Sequence, residues 1–356
     1  MKHVFSVHSP ITFLVAYATI KYLQLEQSDV LIISSTYKVP IDDYRVIPSF
    51  VEAKNSSVLQ KIKYFNIPKS FDTYLTPHLK GEAFTVYVDL MSMFQRVLIT
   101  HSKCKEFHFI EEGNSTYMFE DDLNDLTWEG LFRGVSFRVK NYFSTTFYQS
   151  LIRVLRGYNY RLLQMPFHYM AYANFKNTKF FCFSNNAFYN VSPDKRISLK
   201  LPKNDANIQK LAGGHYLNDA TIWLDGSNAR YTGLEESYYY DAIKKAIPLL
   251  KEKGVIKDKV YAKLRPGIKD ISTNKLVSIL RENDLDVEVM PNDLILEAFF
   301  MQSNNCKIIG VLTAALEYAH VFGHEAYSIY GLFEKQPPTF FDRMDGFWQN
   351  IENLKA

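Results

Sequence analysis

The chain has 356 residues, 47% of them hydrophobic, which is enough apolar mass for two ordinary cores and too much for a disordered polymer. Lys plus Arg (41) nearly balance Asp plus Glu (38), so a formal charge of +3 gives no case for a nucleic-acid partner, and any anion site must be local. Cys104, Cys182 and Cys306 lie far apart with no CxxC spacing, which points to neither a disulfide framework nor a zinc ribbon and suits a reducing, cytoplasmic setting.

Short β-branched or aromatic runs alternate with helical patterns, which predicts an α/β protein with parallel strands. Strands are expected over residues 4–7, 30–33, 85–88 and 107–110, and again over 179–183. After the first of these, His8, Ser9 and Pro10 read as a turn into a helix over 11–20. Polar residues interrupt that apolar stretch, Lys21 closes it and no cleavage pattern follows, so it is read as neither a membrane span nor a signal peptide. The stretch 130–193 has no Asp or Glu, is rich in Tyr and Phe, and carries Arg133, Arg138, Lys140, Arg153, Arg156, Arg161, Lys176 and Lys179. A surface for anionic lipid head groups or an acidic glycan would have this composition, and so would core helices with solvated basic faces.

Residues 201–214 are polar and turn-rich, which places a domain boundary there and divides the chain into 1–205 and 206–335. A second strand series is expected over 221–224, 260–264, 287–289, 307–311 and 326–329. Residues 336–356 follow, with helical periodicity over 340–354 and the option of packing back across the first domain.

Chemistry is expected at strand ends. Glu111-Glu112-Gly113 follows an apolar run and puts two carboxylates where an open α/β sheet places its reactions, although such pairs also solvate loops or cap helices. Asp225-Gly226-Ser227-Asn228 offers a glycine and hydrogen-bonding side chains to an anion, or is plain turn chemistry. Lys263-Leu264-Arg265-Pro266 sets two cations and a rigid turn at another strand end, suited to phosphate or to solvent. Met290-Pro291-Asn292-Asp293 is expected to open a helix carrying Glu297, and either acid suits a ribose hydroxyl or a helix dipole. Thr313-Ala314 begins a helix whose N–H groups suit an anion, with Thr313 equally an ordinary cap. His8, His108, His320 and His324 are scattered and suggest no metal site; His8, with Ser9, is kept as an acceptor-side candidate.

In that order and spacing, Ile110-Glu111-Glu112-Gly113, Lys263-Leu264-Arg265-Pro266 and Gly310-Val311-Leu312-Thr313-Ala314 resemble three motifs of bacterial sialyltransferases and polysialyltransferases, closest to the lipooligosaccharide sialyltransferase family. Those motifs are an acidic-acidic-glycine, a histidine-proline and a paired serine or serine/threonine segment. The resemblance implies a GT-B architecture of two Rossmann-like domains facing a central cleft, inversion at the sugar, CMP-sialic acid as donor and no metal or other cofactor. It implies Glu112 as general base, Glu111 as its support, Thr313 and Ala314 at the donor phosphate, Gly226 and Ser227 in a donor loop, and Asp293 or Glu297 at the ribose.

Arg265 departs from the family's histidine and, being permanently charged, cannot donate a proton. A nucleoside monophosphate leaves readily as an anion, so charge stabilisation by Arg265, Lys263 and the helix start at Thr313 would serve instead.

The expected partners are a CMP-sugar and a glycan acceptor of the bacterial surface such as lipooligosaccharide, O-antigen or capsule. Association as a homodimer and a peripheral position at the inner face of the inner membrane are compatible with this. The alternatives are another CMP-nonulosonic acid, Kdo or a nucleoside-diphosphate sugar as donor, and a non-catalytic glycan-binding or membrane-associated scaffold.

Overall fold

The computed structural model describes residues 1–34, 37–49, 67–89, 95, 98–99, 101, 103–117, 175–189, 191–226, 236–265, 274–334 and 345–355. The chain divides into two compact units, Met1–Lys200 and Leu201–Ala356, each built on its own parallel sheet.

The first unit begins with β1 (Lys2–Val7), in which Val4 and Phe5 are fully buried. Ser9 then caps α1 (Pro10–Tyr22). Its hydroxyl accepts from the Thr12 N–H, the Thr12 hydroxyl accepts from the Ser9 N–H, and Pro10 brings a preset φ to the first turn. Residues 11–20 are all buried, so α1 needs small or apolar side chains on every face and has no amphipathic stripe.

The remaining strands are β2 (Val30–Ser34), β3 (Arg45–Pro48), β4 (Phe84–Val88), β5 (Cys104–Ile110), β6 (Phe180–Cys182) and β7 (Arg196–Ser198). Helix α2 (Ile67–Leu79) leads into β4 and buries Phe71, Leu75 and Leu79. The order β3-β2-β1-β4-β5-β6-β7, parallel throughout, is a doubly wound sheet whose winding reverses between β1 and β4. Register sets Phe5 between Ile32 and Tyr87, and the Phe5 and Tyr87 rings stack at 4.2 Å.

In the second unit Asp205 caps α3 (Ala206–Leu211). A regular alternation follows: β8 (Thr221–Leu224), α4 (Glu236–Glu252), β9 (Lys259–Lys263), α5 (Lys275–Glu282), β10 (Asp286–Val289), α6 (Leu296–Gln302), β11 (Lys307–Gly310), α7 (Ala314–Val321) and β12 (Glu325–Ser328). With β13 (Glu352–Asn353) the order is β10-β9-β8-β11-β12-β13, again parallel, and the reversal falls between β8 and β11.

Two expectations need correction. The carboxyl-terminal stretch is not one helix over 340–354: α8 (Asp345–Trp348) is a single turn, and β13 then joins the second sheet beside β12. The helix expected from Met290 starts only at Leu296; residues 290–295 precede it as a turn whose Pro291 and Asn292 carbonyls accept from the Lys263 ammonium.

The tail is seated by Gly331, whose N–H donates to Asn353 Oδ1 at 2.8 Å. A Cβ at Gly331 would run into the Leu354 carbonyl oxygen. Gly331→Ala is therefore expected to destabilise the unit by about 1–3 kcal/mol, read by denaturant titration, and to speed hydrogen exchange over 351–355.

Among the described residues no helix is long and apolar enough to cross a membrane. Most of the basic aromatic stretch 130–190 lies outside the described residues, as do Ser227, Asn228 and Pro266.

Candidate active site

In each unit the residues with chemical potential gather where the winding reverses, beyond the carboxyl ends of the central strands. In the first unit His8 follows β1, Asp89 follows β4, and Glu111 and Glu112 follow β5. His8 Nδ1 lies 2.8 Å from Asp89 Oδ2, and His8 Nε2 lies 3.5 Å from Glu112 Oε1. Side-chain exposure is 2% for Asp89, 22% for Glu112 and 35% for His8, so a buried carboxylate backs an imidazole and a carboxylate that are both partly exposed. The Asp89 and then the Glu112 hydrogen bond push the His8 pKa up to about 10 against the opposing effect of burial, so the ring is an imidazolium at neutral pH.

Glu111 has a different role from its neighbour. It is fully buried, accepting the Tyr117 hydroxyl at 2.6 Å on Oε1 and the Phe183 N–H at 2.7 Å on Oε2. It thereby ties the end of β5 to the segment after β6 and to the 3-10 turn Asn114–Tyr117. Gly113, at φ 123°, takes a backbone conformation that a side chain would strain, and its carbonyl accepts the Thr116 hydroxyl at 2.6 Å. Ser9, an acceptor-side candidate in the sequence, uses its hydroxyl to cap α1.

In the second unit, the Asp225 N–H donates to the Lys263 carbonyl at 2.9 Å and the Gly226 N–H to the Tyr239 hydroxyl at 3.0 Å. Tyr239 is buried and in turn donates to Asp225 Oδ1 at 3.3 Å, fixing the loop after β8. A Cβ on Gly226 would approach Val311 Cγ2 to 2.6 Å, so this glycine lets the ends of β8 and β11 pack together. Thr313 caps α7, its Oγ1 accepting the Ala315 N–H at 3.3 Å, and Ala314 is buried behind it.

Lys263, read from the sequence as a phosphate cation, is 5% exposed and donates its ammonium protons to the carbonyls of Pro291 and Asn292 at 2.7 and 2.9 Å. Burial lowers its pKa, with the charges of Asp293 and Glu297 opposing. Glu297 is half-buried and its pKa is raised by desolvation, whereas Asp293 is exposed. Arg265, two residues beyond β9, is half-buried.

Asp89, Gln95 and Tyr239 belong to no motif read from the sequence. Asp89 carried a legible signal, a lone acid directly after the apolar run of β4. Gln95 and Tyr239 carried none, because their partners Asp89, Ser6 and Asp225 stand at spacings that mark no motif. Of the other histidines, His324 accepts the Cys306 N–H at 3.1 Å and faces the Phe300 carbonyl at 2.9 Å, a buried structural pairing. Among the described residues no group of three His, Cys, Asp or Glu side chains is placed to hold a metal ion.

Fold and site define a two-unit α/β protein in which each unit is a doubly wound parallel sheet with polar groups at its point of reversal. No family model and no curated protein matches the sequence. Among solved structures the chain is similar to a sialyltransferase from Photobacterium damsela, at 11% identity and TM-score 0.48 over 99% of this chain and 81% of that one. It is also similar to Methanocaldococcus jannaschii UDP-GlcNAc 2-epimerase, at 10% identity and TM-score 0.44 over 100% and 89% of the two chains. An E. coli ADP-heptose heptosyltransferase II gives 9% identity and TM-score 0.42 over 99% and 90%. Likenesses at this level concern the fold.

Proposed function

We propose that the chain is an inverting glycosyltransferase of GT-B type that transfers sialic acid from CMP-sialic acid to a hydroxyl of a bacterial surface glycan. The observation that carries this reading is the partly exposed Glu112 carboxylate beside His8 at the reversal point of the first sheet, in a chain whose second sheet ends in Gly226, Arg265 and Thr313.

Glu112 takes the proton of the acceptor hydroxyl as that oxygen bonds to the anomeric carbon of the donor. The bond from that carbon to the CMP phosphate breaks, and its electron pair leaves on the phosphate. Arg265 and the N–H groups at the start of α7, behind Thr313, meet the departing charge, so the reading calls for neither a proton donor nor a metal ion at that oxygen. Lys263 acts indirectly, by holding the Pro291 and Asn292 carbonyls of the turn that bears Asp293.

Incubation with CMP-sialic acid and a panel of terminal galactosides and sialosides, followed by mass spectrometry, is expected to show addition of sialic acid. Absence of product across the panel, with CMP giving no thermal protection, would sink the reading. CMP is expected to protect the chain against unfolding more than UDP or GDP does. Arg265→Ala is expected to weaken CMP binding roughly 10- to 100-fold, the worth of a charge-assisted hydrogen bond to phosphate.

A further inference from the structure

A carboxylate as buried as Asp89 is tolerated only when its oxygens are paired, and here each has its own partner. Oδ2 faces His8 Nδ1 at 2.8 Å, and Oδ1 accepts from Gln95 Nε2 at 2.5 Å. The Gln95 amide also reaches Ser6 Oγ on β1 at 3.2 Å, so the carboxylate plane is held from two sides. On the His8 side, the backbone N–H donates to Thr12 Oγ1 at 3.1 Å, which ties the residue to the first turn of α1. With Nδ1 held by Asp89, rotation of the ring is stopped in the orientation that turns Nε2 toward Glu112 Oε1. Asp89, His8 and Glu112 thus form a chain of contacts over the ends of three neighbouring strands, with β4 lying between β1 and β5.

We propose that Asp89 is a positioning residue that acts on Glu112 through His8: the buried carboxylate fixes the ring as an imidazolium, and the imidazolium holds the Glu112 carboxylate in the orientation that receives the acceptor's proton. For the reaction this rests on the glycosyltransferase reading; the coupling itself is independent of it. His8 keeps its own proton throughout, and Glu112 is the group that gains one.

Among the described residues the charged groups acting on the ring are Asp89 from the end of β4 and Glu112 from the end of β5; the start of α1 contributes the hydroxyls of its cap Ser9 and of Thr12, which do not titrate. Both carboxylates raise the ring's pKa, so the imidazolium lasts through neutral pH and is lost only toward about 10. Removing the Asp89 charge takes away the larger cause and moves that loss down toward the ordinary value of about 6.5.

The test uses the full chain and Asp89→Asn and Asp89→Glu variants. In the first arm the His8 ring is titrated by NMR, its signal assigned by its disappearance in His8→Asn. The parent ring is expected to stay protonated beyond about pH 9, and the Asp89→Asn ring to lose its proton at least about two pH units lower. A parent ring that titrates near pH 6.5, or one unmoved by Asp89→Asn, overturns the proposal.

In the second arm the pH profile of sialyl transfer is measured. Asp89→Asn is expected to be roughly 10- to 100-fold slower than the parent near pH 8.5, to approach it near pH 6, and to be largely rescued by Asp89→Glu. A deficit of the same size at every pH would mark a packing role and overturn the proposal. A parent that transfers no sialic acid and gains no thermal protection from CMP overturns the sialyl-transfer reading, and the ring titration then decides the coupling alone.

Discussion

Glu112→Gln is expected to lower transfer roughly 10²- to 10⁴-fold, the usual contribution of a positioned general base, while CMP binding stays within about twofold of the parent. The amide has the size of the carboxylate and can still accept from the His8 ring, which lies 3.5 Å away, so the loop after β5 has no reason to move. What the amide cannot do is take a proton. The loss should therefore fall on kcat, with a single-turnover assay showing the same deficit as steady state. Transfer by Glu112→Gln at the parent rate would remove Glu112 as the base.

Its neighbour should give the opposite result. Glu111→Leu is expected to cost about 3 kcal/mol, because Leu cannot accept from the Tyr117 hydroxyl and the Phe183 N–H, both of which stay buried without their acceptor. For a unit of this size that is a melting point lower by roughly 6–12 °C. Adding Tyr117→Phe to Glu111→Leu should recover part of it, since one orphaned group is then gone. Melting unchanged from the parent would show that Glu111 does not clamp the strand ends. Of two adjacent glutamates, then, one is read by melting and the other by turnover.

The alternation of parallel strands and helices was legible because the central strands are buried on both faces and spell continuous apolar runs. The three strands not expected from the sequence, β3, β7 and β13, all lie at sheet edges. An edge strand is short and half solvated, and Arg45, Arg196 and Glu352 sit in runs with no apolar periodicity to reveal them. At the site, the motif residues were legible as strand ends but their division of labour was not. Whether an acid such as Glu111 or a cation such as Lys263 faces solvent or the interior depends on partners 72 and 28 residues away in sequence. Asp89 was visible as an acid after a strand, but its role was not, since that role depends on His8 being brought alongside it, 81 residues distant.

Helix α1 has no solvent-facing side over residues 11–20, and the capping residue Ser9 immediately follows His8. The turn bearing the imidazole is thus rooted in packed interior and not in a surface loop. Its conformational entropy is surrendered when the unit folds, so little remains to be lost as substrate settles and the barrier is climbed. A methylene deleted from Leu14, deep in that helix, would then be felt at the strand end as poorer aim. Selection on the core of α1 and selection on turnover would become hard to tell apart.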